Sequence, residues 1–507
     1  MKTKKKRNLK QKSFFFQDYS ESEIVYDSSK KIKVSLNRIT FLSFIFFSLI
    51  LIFALKIIYL SLLPEKKFSL YSHNKSFIKE RRDIVDRNKK IIATNVNVYK
   101  AGIRPQFIKN KKRFLINLRI IFPELDSKII KKKLDKNKFF YLEKKRLTEE
   151  EKDKIWELGL SNKVLELERI QTRIYPQKNL FSHAVGQVND NNEGISGIEN
   201  FFDKSLSNKN LINSSLILSL DTNLQYIIRQ ELINAKKIFN SIGAASILMD
   251  VDNGEILSLI SLPDYDLNKR ISIVDKAYTN KVTLGVYELG SVFKTFTIAA
   301  ALENKIISPN TIFKNLENSL TCGKHTISEH DKIPKDLSTE QILIRSSNIG
   351  AIRIAQKIGI EKYKNFLNSL ELFDVIDFDL QEIGTPLPFK WGKCKLATAS
   401  YGHGITTTPL QLAKAYAILG NGGYKINPSI LKKERNLIQK REKVISEKTS
   451  NEINLMLRKV VSLNEGTANF ADVEGYEVAG KTGTALKYNS KAKLNTFVSL
   501  FPASKPK

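Results

Sequence analysis

The pattern of apolar and polar positions changes character three times along the chain. Residues 39–63 form one strongly apolar run whose single charge, Lys56, lies near its end. About 20 apolar residues cross a bilayer as a helix, and a lysine near one end can extend its ammonium to the interface. The 38 residues ahead of the run hold eleven Lys/Arg and four Asp/Glu, a net of +7. Basic flanks stay cytoplasmic. The pattern therefore predicts a basic cytoplasmic tail (1–38), a transmembrane anchor (39–63) and a chain whose bulk is periplasmic. A cleaved signal peptide is the competing reading. The run is long for one, and no small-x-small cleavage site follows it before Pro64–Lys67.

Residues 64–215 are lysine-rich with short mixed patterns, and their spacing predicts helices over Ser127–Lys138 and Thr148–Leu158. Beyond residue 216 the texture sharpens. Residues 245–251 and 255–261 read as a hairpin around Asn253–Gly254, a pair that tolerates positive φ at both positions. Residues 290–303 predict a helix that is apolar on most faces and hence buried. Thr408–Pro409–Leu410–Gln411 is a capping box with proline at the first helical position, opening a helix that stops at the glycine-rich stretch 420–423. Residues 476–480 and 495–501 read as paired strands. Strands, then helices, then strands predict an α+β fold.

Composition narrows the classes. The 507 residues suggest two to four domains at roughly 100–200 residues each. Ordinary hydrophobic and charged fractions, 42% and 27%, exclude wholesale disorder and a polytopic membrane protein. Lys+Arg 83 against Asp+Glu 52 gives +31. The lysines are spread along the chain, without a nucleic-acid-binding motif or interleaved aromatics, so no nucleic-acid partner is expected. Two cysteines are too few for a disulfide scaffold or a four-ligand zinc site, and the five histidines show no paired metal spacing. An extracytoplasmic location permits a Cys322–Cys394 bond, but the sequence leaves open whether the two meet.

Three short motifs carry the candidate chemistry: Ser291-Val292-Phe293-Lys294, Ser346-Ser347-Asn348 and Lys481-Thr482-Gly483-Thr484. Chance copies of the first two abound; Ser28/Lys31, Ser72/Lys75, Ser35/Asn37 and Ser462/Asn464 also fit. Context separates them, because only Ser291 opens a buried-looking helix after a glycine, and the Lys-Thr-Gly triplet occurs once. A serine hydroxyl is a weak nucleophile until a base takes its proton. At helical spacing i and i+3, Ser291 and Lys294 share a face, so the amine can reach Oγ. A lysine at its reference value near 10.4 is neutral about once in 2,500 at pH 7. The site must therefore lower it, by burial and by a second cation, for which Lys481 is the candidate. Ser346 is placed to relay a proton, and the Asn348 carboxamide to hold a substrate amide. The third motif is expected just after a strand. There Gly483 would let another chain lie close, and Lys481 and Thr482 would hold a carboxylate. Backbone N–H groups of Ser291 and Thr484 form the natural oxyanion pair.

With these motifs in order, the chain resembles the class B penicillin-binding proteins, in particular the septal, penicillin-binding protein 3 type. The resemblance extends from about residue 80 onward. Residues 287–297, 345–350 and 478–485 look like that family's three active-site segments, and 401–413 is similar to the stretch before its long active-site helix. Residues 82–88, 173–176 and 194–203 look like its pedestal motifs. The resemblance implies an elongated mixed pedestal of the dimerisation type (64–215) and a transpeptidase domain (216–507) with an antiparallel sheet flanked by helices. It also implies a D,D-transpeptidase that crosslinks peptidoglycan stem peptides in septal wall synthesis. Ser291, Lys294 and Ser346 would be catalytic, and Asn348, Lys481, Thr482, Gly483 and Thr484 substrate-binding. β-Lactams would acylate Ser291, and the resemblance implies no metal or organic cofactor. Implied partners are a septal lipid II glycosyltransferase and other division proteins in the plasma membrane. A D,D-carboxypeptidase, or a β-lactam-binding division scaffold without turnover, is the alternative. The chain departs from the family pattern at Leu289, where proline is usual, and at Arg82 and Lys89, where glycines are usual. It ends at Lys507, ahead of the family's last strand and helix, so a truncated domain with an exposed sheet edge is expected.

Overall fold

The computed structural model describes residues 28–62, 80–142, 147–269, 272, 274–323, 325–433, 441–486 and 492–507. Most of the expected basic tail and the expected start of the pedestal lie outside the described residues. The chain divides into two compact units, Met1–Lys75 and Ser76–Lys507.

In the first unit, helix α1 spans Ser28–Leu62 and so begins well ahead of the apolar run. Its stretch Thr40–Tyr59 carries Lys56 as its one charge and is otherwise predominantly apolar, and none of it is buried. It is the one helix among the described residues that is long and apolar enough to cross a membrane.

The second unit opens with a five-stranded sheet. Strands β1 (Ile84–Val85) and β2 (Ile91–Ile103) are followed by helices α2 (Lys111–Ile121) and α3 (Ser127–Lys136), strand β3 (Phe140–Tyr141), helix α4 (Glu149–Trp156) and strand β4 (Leu165–Ile174). β2 and β4 run antiparallel from Thr94↔Ile174 to Ile103↔Leu165. The helices expected over 127–138 and 148–158 are present with slightly shorter ends. Each starts where a side chain takes up free backbone N–H groups: Asp126 for α3, and a Thr148/Glu151 capping box for α4. Phe114, Leu118, Ile130, Leu134 and Ile155 turn inward against Ile103 and Leu165, giving this lobe its own apolar core.

Short helices α5 (Ser182–Val185), α6 (Gly197–Phe201) and α7 (Asp203–Leu206) and strand β5 (Leu216–Ile217) lead out of the lobe. Here the fully buried Glu199 carboxylate accepts from Arg81 Nε at 3.0 Å and Arg173 Nε at 2.6 Å. Arg82 is buried and donates to the Ser214 carbonyl at 2.7 Å, while Lys89 adopts a left-handed φ of 65° beside Asp86. The two positions where the family uses glycine are thus filled by one buried side chain and one strained turn.

The remaining chain contributes helix α8 (Thr222–Ile238), strands β6 (Ala244–Met249) and β7 (Ile256–Leu262), helix α9 (Lys294–Glu303) and strand β8 (Ile312–Phe313). Strands β9 (Ser319–Cys322), β10 (His325–Ser328) and β11 (Leu337–Ser338) follow. Next come helices α10 (Thr339–Ile344), α11 (Asn348–Ile358), α12 (Ile360–Ser369), α13 (Lys393–Ala399), α14 (Pro409–Gly420) and α15 (Glu447–Ser462). Strands β12 (Ala479–Leu486) and β13 (Lys493–Leu500) complete the described residues. Helix α9 is buried from Lys294 to Leu302, packed among α10, α11, α12 and α15. The Thr408/Gln411 capping box starts α14 as expected.

Three expectations are corrected. The β6–β7 connection is not a two-residue Asn-Gly turn. Asp250 Oδ1 accepts from the N–H groups of Asp252 and Asn253 at 2.9 and 3.1 Å, which holds open a longer loop. Within that loop only Gly254 of the pair has positive φ. The antiparallel strands also do not form one sheet. Among the described residues, β6 pairs with β7 and β12 with β13, as separate ladders. Helix α14 packs against both β6 and β13, so side-chain packing rather than ladder hydrogen bonding joins them. Finally, the Lys481–Thr484 motif lies inside β12, which starts only at Ala479, rather than after a strand. The question left open at the cysteines is answered: Cys322 and Cys394 are bonded, tying β9 to α13.

Candidate active site

The nucleophile candidate sits on a single 3-10 turn, Gly290–Phe293, that runs directly into α9. Gly290 has φ +68°, and a Cβ there would lie 2.5 Å from the Thr484 carbonyl oxygen. Glycine is therefore required twice over, by backbone conformation and by the strand laid against it. Leu289 is buried in the core just before the turn, and Tyr416 from α14 donates to the Val292 carbonyl at 2.8 Å. The turn places Ser291 Oγ 3.1 Å from Lys294 Nζ, the first residue of α9.

The second motif links α10 to α11. Ser346 takes a left-handed φ of 59°, and Ser347 caps α11 by accepting from Gly350 N at 2.8 Å. This turn aims Ser346 Oγ between two amines, 3.0 Å from Lys294 Nζ and 3.0 Å from Lys481 Nζ. Lys294 Nζ also donates to the Ser346 carbonyl. Asn348 is close in sequence but faces the β9–β10 hairpin, its Nδ2 donating to the Ser328 carbonyl at 2.9 Å. Among the described residues no hydrogen bond joins its carboxamide to either lysine.

The third motif comes from β12. Lys481 is wholly buried, and its Nζ donates to Thr467 Oγ1 at 3.3 Å and the Thr482 carbonyl at 3.0 Å as well as to Ser346. Thr482 Oγ1 donates to Thr467 Oγ1 at 3.0 Å. Thr484 Oγ1 donates to Asn495 Oδ1 at 3.3 Å. A Cβ on Gly483 would lie 2.3 Å from the Leu289 carbonyl oxygen. The close approach that glycine allows here is thus already used, by the chain's own nucleophile turn.

Ser291, Lys294, Ser346 and Lys481 therefore form one continuous chain of contacts from three distant segments, and Asn348 lies beside it. Burial lowers Lys294 from its ordinary value to about 7. The nearby Glu329 carboxylate acts against that shift. Burial also holds Lys481 well below the usual lysine range, and repulsion from the Lys294 ammonium adds to it. An amine near 7 is about half neutral at pH 7, so it can accept a proton, and a buried second amine disfavours double protonation. Sequence reasoning missed Thr467, which steadies Lys481, and Glu329. It also missed Gly402, whose φ of +82° and approach to the Gly290 carbonyl brace the turn. None of these has a local signature beyond a glycine next to a polar stretch.

Comparison with known proteins agrees with this arrangement. The family described as the penicillin binding protein transpeptidase domain matches residues 244–507, and the penicillin-binding protein dimerisation domain matches 79–216. The probable peptidoglycan D,D-transpeptidase FtsI of Caulobacter vibrioides is 32% identical over 441 residues, covering 84% of this chain and 73% of that protein. The peptidoglycan D,D-transpeptidase FtsI of Buchnera aphidicola subsp. Baizongia pistaciae is 31% identical, covering 93% and 89%. That of Escherichia coli K12 is 27% identical, covering 73% and 67%. On the three convergent motifs and these matches, the chain belongs to the class B penicillin-binding protein family, of the penicillin-binding protein 3 type.

Proposed function

We propose that the chain is a single-pass, membrane-anchored D,D-transpeptidase that crosslinks peptidoglycan stem peptides during septal wall synthesis. The tail 1–38 is cytoplasmic, residues 39–63 are the anchor, and the pedestal (64–215) and transpeptidase domain (216–507) are periplasmic. The observation that supports this reading most strongly is the contact chain Ser291 Oγ–Lys294 Nζ–Ser346 Oγ–Lys481 Nζ, at 3.1, 3.0 and 3.0 Å. A serine hydroxyl beside an amine that is half neutral at pH 7 is built for acyl transfer.

In the acylation step, neutral Lys294 takes the Ser291 proton as Oγ bonds to the penultimate D-Ala carbonyl carbon. The oxyanion faces the backbone N–H groups of Ser291 and Thr484. A Cβ on Gly290 would fall 3.0 Å from Thr484 N, so strand and turn are near enough to share one oxygen. The C–N bond then breaks. The leaving D-Ala amine receives a proton through Ser346, which lies between the two lysines. An amine of a second stem peptide attacks the ester, gives its proton to Lys294, and returns Ser291 to the hydroxyl form. The complete burial of Lys481 keeps its amine inside the domain, where it holds Ser346 Oγ at 3.0 Å. Direct contact with the substrate carboxylate falls to the hydroxyls of Thr482 and Thr484, at the more open end of β12. Asn348 holds the substrate amide from the hairpin side. The partners are stem peptides, β-lactams, a lipid II glycosyltransferase and division proteins.

The test uses the full chain in detergent. A fluorescent penicillin labels it, and Ser291→Ala abolishes labelling; persistent labelling would refute the nucleophile assignment. Supplying a donor pentapeptide with an acceptor amine separates the activities. Transpeptidation gives a crosslinked product, whereas a carboxypeptidase gives only the hydrolysed peptide and a scaffold gives neither.

A further inference from the structure

Ser346 takes its left-handed φ at the cap that ends α10, where its N–H reaches the Leu343 carbonyl at 3.2 Å and the Ser347 N–H reaches the Ile342 carbonyl at 2.9 Å. A non-glycine residue in that region is strained and persists only where its surroundings over-determine it. Beyond that cap, the turn is held by the residues that end β10, at the open end of the β9–β10 hairpin. Glu329, just past β10, accepts three hydrogen bonds from the segment that follows Ser346. They come from Ser347 Oγ at 2.6 Å, Asn348 N at 2.8 Å and Ile349 N at 2.9 Å. The carboxylate thereby satisfies the free N–H groups at the start of α11, where a negative charge is favoured. The adjacent Ser328 carbonyl accepts from the Asn348 carboxamide at 2.9 Å, so two consecutive hairpin residues grip two consecutive motif residues. The hairpin is itself anchored, because Cys322 on β9 is bonded to Cys394 on α13.

We propose that Glu329 is a positioning residue of the acyl-transfer site, one that fixes the Ser346–Asn348 turn so that Ser346 Oγ stays between Lys294 and Lys481. It touches neither substrate nor reacting atoms. Three hydrogen bonds to a carboxylate are charge-assisted and hence strong, and together they fix the direction of the turn. Loss of the grip leaves the turn held from the α10 side alone, so that Ser346 Oγ can shift, and a shift of about 1 Å in a catalytic group costs up to about a hundredfold in rate. Glu329 also acts through charge. The groups around Lys294 Nζ are the hydroxyls of Ser291 and Ser346, the Lys481 amine on β12 and the Glu329 carboxylate on the hairpin side. Glu329 is the group among them that favours the Lys294 ammonium. Removing its charge therefore leaves Lys294 neutral to lower pH.

These two effects oppose each other at neutral pH, and a purely structural cap would show neither. The proposal rests on Ser291 being the acylated residue, which labelling of the full chain and its loss in Ser291→Ala establish separately. Acylation by fluorescent penicillin is followed as a function of pH in full-length Glu329→Gln and Glu329→Asp, with melting curves on the same samples. Expected for Glu329→Gln is a plateau rate lower by about tenfold to a hundredfold, with the acid limb displaced to lower pH. Expected for Glu329→Asp is a slower plateau with the limb where the unmodified chain has it, because charge is retained and reach is not. A normal plateau in both variants overturns the proposal. So does a loss of folded protein in which the folded fraction reacts at the normal rate with an unmoved limb.

Discussion

The buried amine next to Ser291 predicts an acid limb in the rate of acylation close to neutrality. Burial takes Lys294 from an ordinary lysine value of 10.5 to about 7. A displacement of that size corresponds to roughly 5 kcal/mol of disfavour for the ammonium form. The neutral fraction is then about one half at pH 7, about nine-tenths at pH 8 and about one-tenth at pH 6. If only the neutral amine accepts the Ser291 proton, acylation by a fluorescent penicillin should be nearly flat above pH 8 and fall about tenfold per pH unit below 6. The experiment is a time course of covalent labelling of the full chain between pH 5.5 and 9, at penicillin concentrations low enough to report the second-order rate. Folding stability provides a second reading of the same group. Between pH 7 and 10.5 the unfolded chain binds a proton at this lysine that the folded chain does not, so stability falls as pH is lowered through that window and levels off below it. A rate profile with no limb down to pH 5.5, or with its limb near 10, would show that Lys294 is not the base or is not desolvated.

Other perturbations test separate parts of the arrangement. Lys294→Ala should retain the fold and slow acylation by at least about two orders of magnitude; a near-normal rate would reassign the base. Gly402→Ala forces alanine to a φ of +82° with its Cβ 2.0 Å from the Gly290 carbonyl oxygen. The backbone term alone is about 1–2 kcal/mol, so both the melting midpoint and the labelling rate should drop, and retention of both would refute the brace. Glu199→Ala leaves Arg81 and Arg173 buried without their shared carboxylate. Breaking such a group costs about 3–5 kcal/mol, expected as earlier urea unfolding and faster proteolysis of the pedestal; an unchanged unfolding curve would contradict this.

The sequence was most legible where one short segment does its own work. The Thr408/Gln411 capping box, the α3 and α4 starts and the i, i+3 proximity of Ser291 to Lys294 are all local, and the structure contains each of them. Legibility failed where distant segments supply the partner. Glu329 lies 19 residues before Asn348, just past the end of β10, where nothing in the local spacing marks it. Thr467 follows α15 and meets Lys481 only through the fold. The Asn253–Gly254 turn failed for a different reason. Its local preference is real, but the Asp250 side chain offers the backbone competing hydrogen bonds, and these set a longer loop. The two ladders could not be told from one sheet, because strand patterns report a buried face and say nothing about which edge is paired.

Stability alone does not account for the centre of this domain. Two lysine amines are taken wholly out of water and set on either side of one hydroxyl. Neither has a carboxylate in hydrogen-bond contact among the described residues. Burying an amine without such a partner opposes folding, and apolar residues of similar volume would pack the same space at lower cost. The Ser346 backbone adds strain of order 1–3 kcal/mol. The close approaches at Gly290 and Gly483 leave no tolerance for a side chain at either position. These unfavourable features lie along one chain of contacts, from Ser291 Oγ through Lys294 and Ser346 to Lys481. The neighbouring pedestal, by contrast, compensates its buried arginines with Glu199. Where a fold pairs its buried arginines with a carboxylate in one lobe and buries two amines without a hydrogen-bonded carboxylate in another, the second arrangement is the one that chemistry requires.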